Sequence, residues 1–396
     1  MTDPSAMLHI DRALAQAIVD RSMAIIDCNI NVMDRNGIIV ASGDRSRVGQ
    51  LHEGALLVLA REEAVEIDGA LARTLGAARP GVNLPLRAEG RVIGCVGLSG
   101  EPRDIRQHAE LVRMAAETML EQAQLLRLLA QDARLREELV LGLIRDDRPT
   151  PALTGWAERL GIDLATPRVV AVIELDSGSM AVDAVLAELR RLHALLAIPT
   201  RDKAGPAALI ATVSLGELVV LMPALTGAGG WDPEAQRRRT AALLARIRDG
   251  GSLDVRIALG RYFPDAGGLP RSYQTARTTM AIGKRLHPDS RVHLYGDVML
   301  PVLLDSLKQS WQAEELTAPL QPLVRHDRQG QLMRTLSSWF ENGMQRPPTA
   351  KALNIHRNTL DYRMRRIEEV CGVDLGSTED CVRLYLGLRM FPAAGM

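Results

Sequence analysis

Residues 347–367 constrain this chain more than any other segment. Pro347 and Pro348 lead into a short small-apolar run (Ala350, Ala352 and Leu353), then a corner, Asn354-Ile355-His356, and a basic segment. The two prolines are read as stopping whatever precedes them, with Thr349 capping the first orphan amides of a new helix. After the corner, Leu360, Met364, Ile367 and Cys371 recur at steps of four, three and four. That period makes one buried stripe on a second helix, and Ile355 is placed to fill the space between the two. The opposite face carries Arg357, Asn358, Asp361 and Arg365, with Arg363 at its border. A short helix, a tight corner and a basic helix describe a helix-turn-helix whose second helix enters a major groove.

The positions of the donors separate this reading from a plain helix pair with a solvated basic face. Arg357 and Asn358 fall in the first turn of the second helix, the end that meets base edges. Their side chains pair best with guanine and adenine respectively. Thr359 and the free amides of that turn suit phosphate oxygens. His356, Tyr362, Lys351, Arg363 and Arg366 complete the candidate set for contact with double-stranded DNA.

With 396 residues the chain holds two to four domains, each large enough for its own core. Its 48 basic and 48 acidic residues cancel, so nucleic-acid contact must come from a local patch such as this one. The four cysteines, Cys28, Cys95, Cys371 and Cys381, form no CxxC pair and no metal spacing with histidine. They are expected to be buried thiols in a reducing compartment. No basic-then-apolar leader and no run of about twenty apolar residues occurs, so a cytoplasmic protein with no membrane contact is expected. No cofactor and no metal is expected either.

Read in order, the chain begins with helical spacing over residues 8–28. Two β-rich runs then flank Asn36-Gly37, a hairpin turn whose two residues need positive φ. A second hairpin spans residues 81–98 around Glu89-Gly90, and residues 53–75 between the hairpins read as helix. A small antiparallel sheet with helices against it is the shape of a PAS-like α+β sensor, here residues 1–103. Its polar loop, residues 42–54, offers Ser42, Arg47, Gly49 and His52. Asn83 and Gly97 could join them from the second hairpin. A guanidinium with neutral donors and close-approach glycines is what a small carboxylate effector needs. An ordinary solvated loop is the competing reading.

From Glu101 to Asp146 there is no glycine before Gly142 and no proline after Pro102. Ile105, Val112, Met119 and Leu126 fall at steps of seven. Residues 104–150 therefore read as a helical linker that pairs across a homodimer or higher homo-oligomer, with residues 147–151 closing it. A long helix lying on its own domain is the alternative. Residues 151–300 alternate strands (168–175, 207–213, 217–222 and 255–260) with helices (181–196, 233–249 and 271–285), an α/β pattern. Residues 227–231 precede a helix but lack the Lys-Ser/Thr pair of a phosphate loop and are read as a plain loop. Residues 301–396 form the all-α end.

These motifs carry a resemblance. The run Ala352-Leu353-Asn354-Ile355-His356-Arg357-Asn358-Thr359-Leu360-Asp361-Tyr362-Arg363, with Gly372-Val373-Asp374-Leu375 after it, resembles the C-terminal helix-turn-helix of PucR-type regulators. It is also similar to the DNA-binding end of the Fis family. Residues 26–34, Ser42-Gly43-Asp44-Arg45, residues 51–55 and Asn83-Leu84-Pro85-Leu86 look like a sugar-diacid recognition domain. With residues 131–139, Arg271-Ser272-Tyr273 and residues 299–307, the likeness covers nearly the whole chain. It implies a transcriptional activator of genes for glucarate, galactarate and glycerate uptake and catabolism.

The middle domain resembles the GGDEF-like domain of such regulators, with Ser214-Leu215-Gly216-Glu217-Leu218 at the signature hairpin. Both close-approach glycines and one carboxylate of the signature are missing, and Glu217 alone cannot hold two magnesium ions. A non-catalytic relay is expected. The alternative is a nucleotide cyclase or other enzyme governed by the N-terminal sensor.

Overall fold

The computed structural model describes residues 10–74, 79–176, 178, 180–197, 209–226, 229–249, 254–265 and 267–390. Gly227 and Ala228, part of the loop read at 227–231, lie outside the described residues. The chain divides into two compact units, one through Ala133 and one from Arg134.

The first unit begins with α1 (Arg12–Met23), capped by Asp11, and continues into β1 (Ile30–Asp34) and β2 (Ile39–Ser42). Then follow α2 (Glu53–Arg61), β3 (Val65–Ile67), α3 (Gly69–Thr74), β4 (Gly81–Ala88) and β5 (Arg91–Ser99). The strands form one antiparallel sheet in the order β2-β1-β5-β4-β3. Residues 53–75 are therefore not one helical stretch. Val65-Glu66-Ile67 breaks out as an edge strand because its register against Asn83, Val82 and Gly81 buries Val65 and Ile67 and leaves Glu66 exposed.

The first turn also differs from expectation, whereas the second falls at Glu89-Gly90 as read. At the first, only Gly37 has positive φ (77°), and the Asp34 carboxylate closes the loop by accepting from the Asn36 and Ile38 amides at 2.8 and 2.9 Å. The pair with positive φ at both residues is Glu89 and Gly90 (51° and 76°).

Alternation divides the sheet into two faces. Ile30, Val32, Val82, Leu84, Leu86, Val96 and Leu98 face α1 and the start of the long helix α4 (Pro102–Arg145). Met33, Ile39, Val65, Ile67 and Cys95 face α2, through Ala55 and Val58. Along α4, Ile105, Ala109, Val112, Ala116 and Leu120 lie in the first of these cores. This half of the heptad series thus covers its own sheet, because the i, i+4, i+7 stripe already has an apolar face to bury against. Leu126 and Leu129, further along, are exposed.

The second unit takes the last turns of α4, then α5 (Pro151–Arg159), β6 (Arg168–Asp176), α6 (Val182–Ala197), β7 (Leu209–Ser214) and β8 (Glu217–Pro223). Thr150 caps α5 through its hydroxyl, so the segment read as a linker ends as a helix start. α7 (Pro233–Arg248), β9 (Asp254–Leu259), α8 (Gly268–Leu286) and the short β10 (Val292–Leu294) complete a sheet in the order β10-β9-β6-β8-β7. The β9–β10 pair is parallel and the rest is antiparallel. Leu139, Val140, Leu143 and Ile144 of α4 cover one face together with α8. Leu189, Leu192 and Leu196 of α6 and Ile247 of α7 cover the other.

The all-α end comprises α9 (Met299–Asp305), α10 (Trp311–Thr317), α11 (Leu320–His326), α12 (Gln331–Glu341), α13 (Arg346–Ala352), α14 (Arg357–Cys371) and α15 (Thr378–Met390). Among the described residues no helix is long and apolar enough to cross a membrane.

The burial along α4 sets an expected outcome. Val112→Asp puts an unpaired carboxylate in the sheet core and should destabilise the first unit by about 3–5 kcal/mol. Leu126→Asp, on the exposed stretch, should change its stability by less than about 0.5 kcal/mol. Thermal melts at several protein concentrations check this, and similar losses for both substitutions would contradict the assignment.

Candidate effector pocket and nucleic-acid interface

The strand register places Ser42, Asn31, Gly97, Asn83 and Val65 in a single row across all five strands of the first unit. The row lies on the face covered by α2, where the other side chains are apolar. Asn31, Ser42 and Asn83 are all buried, at 1%, 0% and 3% exposure. Asn31 Oδ1 accepts from Ser42 Oγ at 2.7 Å and from Asn29 Nδ2 at 3.1 Å. The Asn31 Nδ2 and the whole Asn83 amide meet no hydrogen-bond partner among the described residues. Two buried amides with free donors border Gly97, whose missing side chain leaves the row open. A Cβ there would stand 2.5 Å from Asn83 Oδ1.

The amino end of α2 meets this row. His52 is its N-cap, and Nδ1 accepts from the Ala55 amide at 3.2 Å. An accepting Nδ1 leaves Nε2 to carry the ring proton. Gly54, in the first turn, is packed so closely that a Cβ would lie 2.9 Å from Asn83 Nδ2 and 3.1 Å from His52 Cε1. The helix end, His52 and Asn83 therefore converge.

Arg47 belongs to the 3-10 turn Arg45–Arg47, which Asp44 caps. Burial, and then the neighbouring Arg79 guanidinium, hold Arg47 below the usual guanidinium range. Asp44 acts on Arg47 only as the weakest of these influences. Its own carboxyl is lowered first by hydrogen bonds from the Ser46 hydroxyl and amide. The result is a half-buried cationic corner beside neutral donors.

Of the six effector residues read from the sequence, Arg47 lies near enough to His52 to repel a proton from its ring, and Asn83 and Gly97 share the sheet row. Ser42 lies in the same row but its hydroxyl is bound to Asn31 and to the Asp44 amide. Gly49 turns the loop at φ 90° in open space. Asn31 and Arg79 escaped the sequence reading. Asn31 is a polar residue in an otherwise apolar strand, a signal that was present. Arg79 lies far from Arg47 in sequence, and only the fold brings the two together.

In the all-α end, Leu360, Met364 and Ile367 are buried against Leu336 and Trp339 of α12 and Leu384 of α15. Asn354, at φ 50°, makes the corner, and half-buried Ile355 packs on the core. The prolines act differently from the expectation. They occupy the first turn of α13, where their lacking N–H costs nothing, and so start that helix. Thr349 is buried inside it and donates to Gln345 O at 2.6 Å, so it is no cap.

The candidate DNA residues divide into two groups. Lys351, His356, Arg357, Asn358, Thr359 and Tyr362 are exposed, Tyr362 at 70%. Among the described residues Lys351 and Arg357 have no carboxylate partner. Arg363 instead donates to Thr335 Oγ1 and Gln331 Oε1 at 3.3 and 3.2 Å, tying α14 to α12. Arg366 contacts Glu369 at 2.9 Å and the His326 ring at 3.0 Å. His356 caps α14 by accepting from the Asn358 amide at 3.3 Å, so that amide is already engaged.

In the middle domain, Ser214, Leu215, Gly216 and Glu217 form the β7–β8 turn. Glu217 accepts from the Tyr273 hydroxyl at 2.6 Å and lies 3.6 Å from Arg277. Burial, followed by the Glu217 contact, pushes the Tyr273 hydroxyl up to about 12. Among the described residues no group of three or more His, Cys, Asp or Glu side chains could hold a metal ion.

His52 gives a pH test. Burial first, then Arg47, lower its ring from 6.5 to about 4. Above 6.5 the ring is neutral folded and unfolded. As pH falls from 6.5 toward 4, the unfolded chain takes up a proton that the folded chain refuses, and this stability contribution is lost. The His52 ring resonances should stay constant from pH 8 to 5.5; a transition centred near 6.5 would overturn this environment.

Three family models match the chain: sugar diacid recognition over residues 10–143, a GGDEF-like domain over 145–282 and the PucR C-terminal helix-turn-helix domain over 332–390. The carbohydrate diacid regulator of Escherichia coli K12 is 54% identical over 96% of this chain and 98% of its own length. A Haemophilus influenzae protein is 35% identical over 96% and 99%. The DNA-binding transcriptional activator AdeR of Bacillus subtilis is 29% identical over 46% of this chain and 44% of its own. With so similar a relative matched along almost its whole length, the chain belongs to the family of carbohydrate diacid regulators.

Proposed function

We propose that the chain is a ligand-responsive transcriptional regulator, an activator, of genes for sugar-diacid uptake and catabolism. Its effector is a diacid such as glucarate or galactarate, or the monoacid glycerate. The observation that carries this reading is the free Arg357–Asn358 pair at the amino end of a helix-turn-helix recognition helix, in a chain of this family. The sheet order β2-β1-β5-β4-β3, with helices on both faces, supports the PAS-like reading of the sensor.

One effector carboxylate sits against Arg47 and Arg79, relieving the repulsion between two half-matched cations. Hydroxyls of the carbon chain take the free amide donors of Asn31 and Asn83 and the Nε2–H of neutral His52. Binding over Gly97 acts on β5, which runs directly into α4. The effector shifts the helix only so far as its affinity differs between two arrangements. The chain works as a homodimer or higher homo-oligomer on paired half-sites, a reading that the exposed Leu125, Leu126, Leu128 and Leu129 support. The middle domain is a relay without catalysis; the engagement of Glu217 by Tyr273 and Arg277 favours that role over cyclase chemistry.

Calorimetry of the full chain with glucarate, galactarate and glycerate tests the sensor. Saturable heat from at least one, weakened at least about tenfold in Asn83→Leu, is expected, since an effector hydroxyl oxygen would lose the amide donor it accepts from. No heat from any of the three would reject the effector class.

On DNA, Arg357→Ala should cost about 1–3 kcal/mol at one base position and relax specificity there. Arg363→Ala should instead lower the melting temperature of the all-α end and leave base preference unchanged. Mobility shifts with a panel of single-base operator variants separate the two; a uniform loss for Arg357→Ala would make it a phosphate contact.

A further inference from the structure

A sugar diacid carries two carboxylates, and Arg47 with Arg79 accounts for one of them. The sheet face that continues past Asn83 is apolar, with Val65 and Ile67 of β3 lying under Ala55 and Val58 of α2. A second negative charge at this end of the row must therefore be met by neutral donors.

Such donors stand at the amino end of α2, a helix of nine residues. Amides in a first turn have no partner within the helix, and the aligned peptide dipoles favour an anion beside them. Two amides at this end are already engaged. The His52 amide donates to Gly37 O at 2.9 Å, and the Ala55 amide donates to His52 Nδ1 at 3.2 Å. The Glu53 and Gly54 amides have no acceptor among the described residues.

An independent feature points to the same place. Asn83 is 3% exposed, neither atom of its amide has a partner among the described residues, and neither is closed off from solvent. Its Nδ2 lies 2.9 Å from where a Gly54 Cβ would stand, so a donor without an acceptor borders the first turn of α2. Glycine permits that approach, since a side chain there would also meet Ile67 Cδ1 at 2.8 Å and His52 Cε1 at 3.1 Å.

We propose that the amino end of α2 is the subsite for the second carboxylate of the effector. Its oxygens accept from the Glu53 and Gly54 amides, and the hydroxyl on the adjacent carbon accepts from Asn83 Nδ2. The subsite presupposes a sugar-acid effector held at Arg47 and Arg79, and it narrows the class. Aldarates, with an acid at both ends, are preferred over aldonates, in which a hydroxymethyl group replaces one carboxylate. A helix end thus does the work of a second cation.

Calorimetry of the full chain with glucarate and gluconate tests this without any variant. Glucarate should bind at least about tenfold more tightly, the effect of hydrogen bonds to a charged group. Glu53→Pro then removes one of the two amides. Proline is accepted at a first helical position, and His52 before it is already extended, at φ −112° and ψ 106°. Glu53→Ala deletes the same exposed side chain and keeps the amide. Glucarate should bind at least about tenfold more weakly to Glu53→Pro than to Glu53→Ala, whereas gluconate should differ by less than about twofold between them. Equal affinity of the unaltered chain for glucarate and gluconate would overturn the subsite and leave the effector reading standing. So would heat from glycerate without heat from glucarate, or Glu53→Pro weakening both acids alike or neither. No heat from glucarate, galactarate or glycerate would overturn the effector reading, and the subsite with it.

Discussion

The first unit places two amide side chains, Asn31 and Asn83, on one apolar sheet face with almost no exposed surface, and there a polar group is held in place only by the few partners the fold supplies. Every other part of that unit answers to this constraint. Asn29 and Ser42 satisfy the Asn31 oxygen, Gly97 leaves space between the two amides, and Gly54 brings a helix end down onto Asn83. What remains are donors without acceptors, next to an arginine already depressed by burial and by a second arginine.

The DNA-binding end follows from the same accounting of partners. A basic helix face is a collection of like charges, and the fold decides which of them are available. Arg363 and Arg366 reach α12 and the end of α11, so they brace α14 in place. Arg357 and Asn358, nearer the amino end of α14, are exposed, and among the described residues their side chains have no partner. Arg346 holds Asp361 at 3.1 Å, which offsets the one carboxylate on this face. Among the described residues the cations of this face without a partner are Arg357 and Arg365 of α14 and Lys351, a small patch consistent with a chain whose total charge is zero.

Long-range pairing explains where the sequence reading stopped. Val65-Glu66-Ile67 is too short to carry a period of its own and becomes a strand because β4 offers it an edge. Ile105 and Val112 fit a heptad seam equally well as a stripe on a sheet; the presence of that sheet decides between them. Pro347 and Pro348 mark a helix boundary in either reading, and the tertiary context makes it a beginning.

The sequence by itself determined the order of the parts: two hairpins, a long uninterrupted helix, an α/β domain with a degraded signature turn, and a helix-turn-helix. These are written in local periods and in turn residues, which act over a few positions and need no distant partner. It also determined Arg47, His52, Asn83, Arg357 and Asn358 as the chemistry worth testing. Only the tertiary structure decided that Asn31 shares a sheet row with Asn83, that Arg79 lies near Arg47, that Arg363 and Arg366 brace the basic helix, and that one oxygen of buried Gln236 is left unpaired. The reason is physical: burial and partnership are properties of groups brought together across the chain, and no local pattern encodes which distant atom will stand three ångströms away.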